Sequence, residues 1–297
     1  MKYFFTVFLL LGLFFNIHAQ NAKIDSLQRE LEKTGEDTMR VNILNILSKS
    51  YYSIDIEQMG EYSRKSIELA SKLNFNKGLM QAYNSMGIYY DLKGEIDNAF
   101  ESYEKELNIG FLLGDIQSKY RVRQNMAALY NKKGNYEKAI ELYTLNIKEN
   151  NTENLTKANS YLNLGNSFSL KADYELSVSN YFEALKIYEK LNHLKGQIQA
   201  LNNLGIVHLK IKNYAKAIDY YSKVGDIAKK NGFVLDIVVS KYNIGTVYAQ
   251  KEEQKNAKTF FVDALQGFQK VNDLMGQGLC YSSLSIFYRK EKNYRDC

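Results

Sequence analysis

Four asparagines recur at intervals of about forty residues, and their side chains could bind a peptide backbone. They are Asn125, Asn163, Asn203 and Asn243. An asparagine amide donates and accepts hydrogen bonds at once, so it can bond a peptide unit without reading its sequence. Asparagine is a poor helix former, so four of them at one repeated position cost stability unless they serve a role. The pattern predicts a binding surface for an extended peptide. The alternatives are that they cap a neighbouring repeat's backbone, or reflect a composition rich in Asn and Lys.

Further polar residues share the helical stripes on which these asparagines lie. Steps of four, three and four residues lead from Arg121 through Asn125 to Lys132, and the corresponding steps in later repeats reach Asn166 and Lys210. This spacing places each set on one face of a helix. The three cations predict a surface that favours acidic segments or a C-terminal carboxylate, with an affinity that falls as salt rises.

Residues suited to catalysis or metal binding are scarce in the sequence. The three histidines and two cysteines are too few and too scattered for a metal cage or a disulfide framework; they are His18, His193, His208, Cys280 and Cys297. No glycine-rich phosphate loop, GxSxG elbow or HExxH helix occurs. His208 stands where the equivalent residues are Tyr or Phe, so it is interpreted as a packed, hydrogen-bonded core residue. The sequence therefore predicts a non-enzyme with no cofactor and no metal site.

Helices must position these side chains. The chain has 297 residues, of which 45% are hydrophobic and none is proline. Because proline is the main breaker of helices, its absence predicts long uninterrupted ones. A small residue recurs every 38 to 40 residues, at Ser48, Gly87, Ala127, Gly165, Gly205, Gly245 and Ser285.

A second set of small residues lies twelve positions after the first, and aromatic residues follow four positions later. The small residues are Ala99, Ala139, Ser177, Ala217, Ala257 and Cys297. The aromatic residues are Tyr103, Tyr143, Tyr181, Tyr221 and Phe261. These spacings predict two amphipathic helices per repeat, with small residues allowing close approach and aromatic rings filling the gap. One such pair cannot bury its own apolar face, so the pairs should stack.

The pattern resembles the tetratricopeptide repeat. Residues 83–90, which read YNSMGIYY, are similar to its first helix, and residues 133–140, which read KGNYEKAI, are similar to its turn and second helix. The usual period is about 34 residues with a proline. The longer, proline-free units here are similar to the variant found in bacterial peptide-sensing regulators and in motor and polarity adaptors. The resemblance implies an all-α, right-handed superhelical solenoid whose concave groove is lined by the asparagine stripes.

The N-terminus is typical of a secretory signal peptide. A basic start precedes the twelve-residue apolar run from Phe4 to Phe15, which is too short to span a bilayer, and a polar stretch ends at Ala19. Cleavage there would leave a mature protein from Gln20 without a membrane span, whereas an uncleaved signal anchor is the alternative. The predicted organisation comprises the signal peptide (1–19), a capping helix (20–38) and the repeat array (39–297). The repeats are 39–78, 79–118, 119–156, 157–196, 197–236, 237–276 and the partial unit 277–297.

These features predict a periplasmic or secreted, non-catalytic module that binds a peptide or protein segment in its groove. The seventh repeat stops where its second helix should begin, which predicts a truncated sequence; the alternative is a native protein that tolerates a frayed end. An alternative is therefore the extracytoplasmic sensor portion of a longer membrane signalling protein, such as a histidine kinase or a transcriptional regulator. An envelope assembly scaffold is a third possibility. The net charge of +6 is mild, and export argues against a nucleic-acid partner.

Overall fold

The computed structural model describes residues 22–293, so the predicted signal peptide and Cys297 lie outside the described residues. Within that range the protein forms fourteen helices and no strand, and no helix is both long enough and apolar enough to cross a membrane. The helices are α1 (22–33), α2 (Thr38–Tyr51), α3 (Ile56–Lys72), α4 (Asn76–Leu92), α5 (Ile96–Leu113), α6 (Ile116–Lys132), α7 (Tyr136–Glu149), α8 (Leu155–Leu170), α9 (Tyr174–Lys190), α10 (Leu194–Lys210), α11 (Tyr214–Asn231), α12 (Val234–Gln250), α13 (Gln254–Lys270) and α14 (Leu274–Asn293). The predicted all-α helical-repeat solenoid is confirmed.

The protein divides into two compact units, Met1–Leu142 and Tyr143–Cys297. In the first unit α2 packs on α3 and α4 packs on α5; in the second, α8 packs on α9, α10 on α11, and α12 on α13. Within each unit the second helix of one pair also contacts the first helix of the next. The division falls inside α7, where the repeat pattern of the sequence continues without a break.

The helix pairs make the close contacts that the repeat pattern predicts. A Cβ atom added at Gly87 would lie 2.4 Å from the Tyr103 ring, and one added at Gly165 would lie 2.6 Å from the Tyr181 ring. Carbon atoms in contact prefer about 3.5–4.0 Å, so only glycine fits against these rings as they stand. The second small residues are all fully buried: Ala99, Ala139, Ser177, Ala217 and Ala257. The predicted fit of small residues to aromatic rings is confirmed.

In the second to sixth repeats, the turn inside each pair ends the first helix with a residue in the left-handed conformation. Its φ values are 75° at Gly94, 75° at Gly134, 64° at Ala172, 59° at Lys212 and 64° at Glu252. In the fifth repeat the N–H of Lys212 donates to the carbonyl of Leu209 (3.0 Å), and the N–H of Asn213 donates to that of His208 (2.8 Å). These bonds satisfy carbonyl groups that the helix end would otherwise leave unpaired.

A hydrogen bond replaces the ring contact in the first repeat, where the aromatic position holds a serine. Ser48 and Ser63 are both fully buried, and their hydroxyl oxygens lie 2.8 Å apart. Helix α1 covers this repeat from the N-terminal side, with Ile24 buried in the same apolar cluster as Val41 and Leu47. The first repeat is thus held by polar as well as apolar contacts.

Candidate functional site

Helix α8 carries the centre of the predicted polar stripe. Asn154 caps its N-terminus by accepting a hydrogen bond from the N–H of Lys157 (3.0 Å). Leu162 is buried in the middle of the helix, whereas Asn163 and Asn166 are half-buried. Because these asparagines are three residues apart, both lie on one face of the helix, at the edge of the apolar core.

Three asparagines and one tyrosine form a hydrogen-bonded group that we call the amide cluster: Asn163, Asn166, Asn203 and Tyr181. The carbonyl oxygen of the Asn166 side chain accepts from the Tyr181 hydroxyl (2.7 Å) and from Nδ2 of Asn203 (2.9 Å). The Nδ2 of Asn166 donates to Oδ1 of Asn163 (3.3 Å). Side chains from α8, α9 and α10 are therefore tied together at this surface.

The amide cluster keeps hydrogen-bonding groups that its internal bonds do not use. Asn163 accepts within the cluster and retains both N–H donors of Nδ2, whereas Asn203 donates one N–H and retains the acceptor Oδ1. Both side chains are only half-buried. The cluster can therefore offer a donor on α8 and an acceptor on α10, which match the C=O and N–H groups of a peptide backbone.

The other two predicted asparagines are not hydrogen-bonded to the amide cluster within the described residues. Asn243 on α12 and Asn125 on α6 are half-buried, and neither side chain makes a hydrogen bond within the described residues. The structure thus brings Asn163 and Asn203 together by way of Asn166. Capping of a neighbouring repeat's backbone was the alternative to peptide binding. Within residues 22–293, none of the four side chains makes such a cap.

Internal carboxylates neutralise two of the three cations on the predicted stripe. The Nζ of Lys132 lies 2.5 Å from Oδ1 of Asp91, and Nη2 of Arg121 lies 2.6 Å from Oε1 of Glu106. Among residues 22–293, the Nζ of Lys210 donates only to the Ser169 hydroxyl, at 3.5 Å, and lies over the ring of Tyr174 (5.8 Å to the centroid). The bias of the stripe toward acidic ligands is therefore smaller than the sequence predicts.

Glu106, a carboxylate on α5 with no exposed side-chain surface, was not predicted from the sequence. Its Oε1 accepts from Nε (3.0 Å) and Nη2 (2.6 Å) of Arg121, and its Oε2 accepts from Nδ2 of Asn84 (2.9 Å). Burial raises the pKa of Glu106, and the charge of Arg121 opposes that rise. The sequence did contain a signal for Glu106. At this position of the repeat, seven places after the second small position, successive repeats have Ser66, Glu106, Asn146, Ala184, Val224 and Ala264. Glu106 is the one carboxylate in this series, which marks an unusual site.

His208 and Cys280 lie in the helical core, whereas His193 caps the N-terminus of α10 by accepting from the N–H of Gly196 (3.1 Å). His208 is buried and stacks on Tyr220, with ring centroids 5.3 Å apart. It is packed as predicted, but its Nδ1 has no hydrogen-bond partner among the described residues. Cys280 is buried, and burial raises the pKa of its thiol to about 11, so the reactive thiolate is disfavoured. Within residues 22–293 no group of three or more His, Cys, Asp or Glu side chains could hold a metal ion.

Family models described as tetratricopeptide repeats match residues 123–155, 156–230 and 196–270. The chain is a tetratricopeptide repeat protein. The matched residues contain the helix pairs, small residues and left-handed turns described above. Among curated proteins, the transcriptional activator NprA of Geobacillus stearothermophilus is 24% identical over 300 residues, which span 94% of this chain and 71% of that one.

Solved structures of other tetratricopeptide repeat proteins share the fold. The apo quorum sensor NprR of B. thuringiensis is 18% identical, with a TM-score of 0.62, and the match covers 95% of this chain and 80% of that one. A Rap protein in complex with Competence and Sporulation Factor is 13% identical, with a TM-score of 0.62 and coverage of 93% and 80%. At these identities the likeness concerns the fold alone.

Proposed function

We propose that this tetratricopeptide repeat protein is an exported, non-catalytic binder of a peptide or protein segment, which lies along the asparagine stripes of α8, α10 and α12 in the second unit. The unused amide groups of Asn163 and Asn203 carry the proposal. They are held in place by neighbouring side chains, are half-buried, and present a donor and an acceptor together. That combination suits a peptide backbone better than a charged or apolar ligand.

The relatives support a regulatory form of the same function. One matched structure is that of a quorum sensor, another is that of a Rap protein bound to a Competence and Sporulation Factor, and the matched curated protein is a transcriptional activator. A second candidate function is therefore the ligand-sensing portion of a signalling protein. Both candidates require the same binding surface, and they differ in whether ligand binding changes the activity of an attached domain.

The binding proposal is tested by replacing Asn163, Asn203 and Asn243 together with Ala. The probe is a fluorescein-labelled pool of random-sequence decapeptides, and fluorescence polarisation measures its binding. If each asparagine contributes about 1 kcal/mol, affinity should fall about 10²- to 10³-fold. The control replaces Asn108 and Asn231, which are exposed asparagines on second helices, and should leave affinity unchanged.

Thermal melting distinguishes a binding role from a structural one. Alanine gains about 0.5 kcal/mol over asparagine per helical site, about 1.5 kcal/mol in all, and this nearly offsets two lost hydrogen bonds of about 1 kcal/mol each. The triple variant should therefore melt close to the wild type. If it melts far lower, the asparagines are structural; if it keeps full affinity, the peptide binds elsewhere.

Export has a separate test, because the basic start and apolar run of residues 1–19 support it independently of binding. Mass spectrometry of envelope material should find a mature protein that begins at Gln20. A cytoplasmic protein that begins at Met1 would overturn the export proposal and leave the binding proposal standing.

A further inference from the structure

Tyr181 lies in an aromatic position of the repeat but contacts the candidate site through its hydroxyl. Its side chain is 3% exposed, and its ring packs where a Cβ of Gly165 would otherwise lie, at 2.6 Å. The hydroxyl donates to Oδ1 of Asn166 at 2.7 Å. A residue whose ring serves the core therefore places one polar atom at the surface where Asn163 and Asn203 lie.

An asparagine follows the first small position only in the fourth repeat. The residue after the first small position is Ile88, Ala128, Asn166, Ile206 and Thr246 in successive repeats. In the next repeat Tyr221 fills the same aromatic position as Tyr181, but the residue equivalent to Asn166 is Ile206, and the Tyr221 hydroxyl makes no hydrogen bond within the described residues. Phe261 fills the position in the repeat after that. Packing therefore does not require the hydroxyl at this position.

The hydroxyl of Tyr181 acts on the orientation of the surface amides. Asn166 Oδ1 is saturated by two donors, Tyr181 and Asn203, which directs its Nδ2 toward Asn163. A 180° flip of the Asn166 side-chain amide would place its N–H groups beside Nδ2 of Asn203, so that two donors would face each other. The three amides are thus coupled, and burial raises the pKa of the Tyr181 phenol, which keeps its proton available for donation.

We propose that Tyr181 is a positioning residue for ligand binding. Its hydroxyl holds Asn166, and through Asn166 orients Asn163 as a donor and Asn203 as an acceptor toward one stretch of peptide backbone. This inference rests on the proposed function, since it concerns the same surface. It adds that Asn163 donates to a carbonyl group of the ligand backbone and that Asn203 accepts from one of its N–H groups. A ligand whose amide nitrogens are methylated therefore loses the hydrogen bond to Asn203 and keeps the one to Asn163.

The test uses Tyr181→Phe, with Tyr221→Phe as the matched control from the same position of the next repeat. With the labelled decapeptide pool as probe, Tyr181→Phe should lower affinity about five- to tenfold, which is the loss of about one hydrogen bond. Tyr221→Phe should leave affinity unchanged. Both variants should melt close to the wild type, because Phe261 shows that the position accepts phenylalanine.

A double-mutant cycle separates positioning from a direct contact with the ligand. If Tyr181 acts through Asn166, then Tyr181→Phe should have no further effect on affinity in an Asn166→Ala background. Methylating the backbone nitrogens of the pool should weaken its binding to wild type and change its binding to Tyr181→Phe less. Equal affinities of Tyr181→Phe and Tyr221→Phe would overturn the inference while the proposed function stands. Failure of the wild type to bind any decapeptide would overturn both.

Discussion

Replacing Gly205 with Ala should destabilise the fifth repeat, although alanine is the better helix former. Gly205 is buried in α10, and a Cβ added there would lie 2.5 Å from Cε1 of Tyr221. Contacting carbons prefer about 3.5–4.0 Å, so the ring would have to move by about 1 Å. That ring is 2% exposed and packs with Ala217, Ile244 and Val247, which leaves it little space.

Two opposing contributions set the size of the effect. Alanine gains about 1 kcal/mol over glycine in a helix interior, while overpacking a core costs about 1–3 kcal/mol. The variant should therefore lose up to about 2 kcal/mol. Gly245→Ala is the matched control, because its added Cβ would lie 3.0 Å from the Phe261 ring. It requires a smaller shift and should be about 1 kcal/mol more stable than Gly205→Ala.

Native-state hydrogen exchange of the amides in α10 and α11 is the suitable assay, because repeat arrays can open locally without unfolding globally. Gly205→Ala should speed exchange in both helices. In a Tyr221→Leu background the smaller side chain makes room for the methyl group, so the same change should then be neutral or stabilising. If Gly205→Ala protects α10 as well as Gly245→Ala protects α12, contact with the ring does not explain the choice of glycine.

Two further predictions concern the turns and the buried carboxylate. Lys212→Gly and Glu252→Gly should each stabilise the array by about 0.5–1 kcal/mol in urea unfolding. Both residues have positive φ, and relief of about 1–2 kcal/mol of backbone strain exceeds the cost of the added entropy of the unfolded state. Gly134→Ala should destabilise the array by a similar amount, and stabilities equal to that of the wild type would refute this prediction. The pKa of Glu106 is raised in the folded state, so its contribution to stability is present below the unfolded pKa of about 4.3 and is lost as pH rises through the folded value. The protection factors of α5 amides, which are corrected for the intrinsic pH dependence of exchange, should therefore fall as pH rises over that window in wild type and vary less with pH in Glu106→Gln; identical pH profiles would contradict the assignment.

The repeated features of the fold could be predicted from sequence because each is local. A glycine and a ring such as Gly165 and Tyr181 are sixteen residues apart within one helix pair. Their spacing fixes which faces meet, and the recurrence of the pattern in later repeats makes it visible. The left-handed turns were harder to place, because Lys212 and Glu252 occupy positions where glycine would mark the turn.

The pairing of polar side chains could not be predicted in the same way, because partners come from different repeats. Lys132 and Asp91 are 41 positions apart, and Asn203 lies 37 positions from Asn166. The repeat period does not indicate that Asp91 neutralises Lys132. Nor does it indicate that, among the described residues, Lys210 has only the Ser169 hydroxyl and the Tyr174 ring beside it. The sequence therefore indicated which residues share the stripe, but it could not show which of their charges and amides remain available.

Functional residues in this array are best sought where a repeat departs from its neighbours. Positions that repeat, such as the glycines and rings, are explained by packing alone. Asn166 replaces an apolar residue of neighbouring repeats, and Glu106 is an ionisable carboxylate where the adjacent repeats have the neutral Ser66 and Asn146. Both substitutions work against helix propensity or burial, and both are compensated by specific partners: Tyr181 and Asn203 for Asn166, and Arg121 for Glu106. A departure that needs its own compensating partner is hard to attribute to drift in composition, which is why the amide cluster, and not the whole asparagine series, is the stronger candidate for ligand binding.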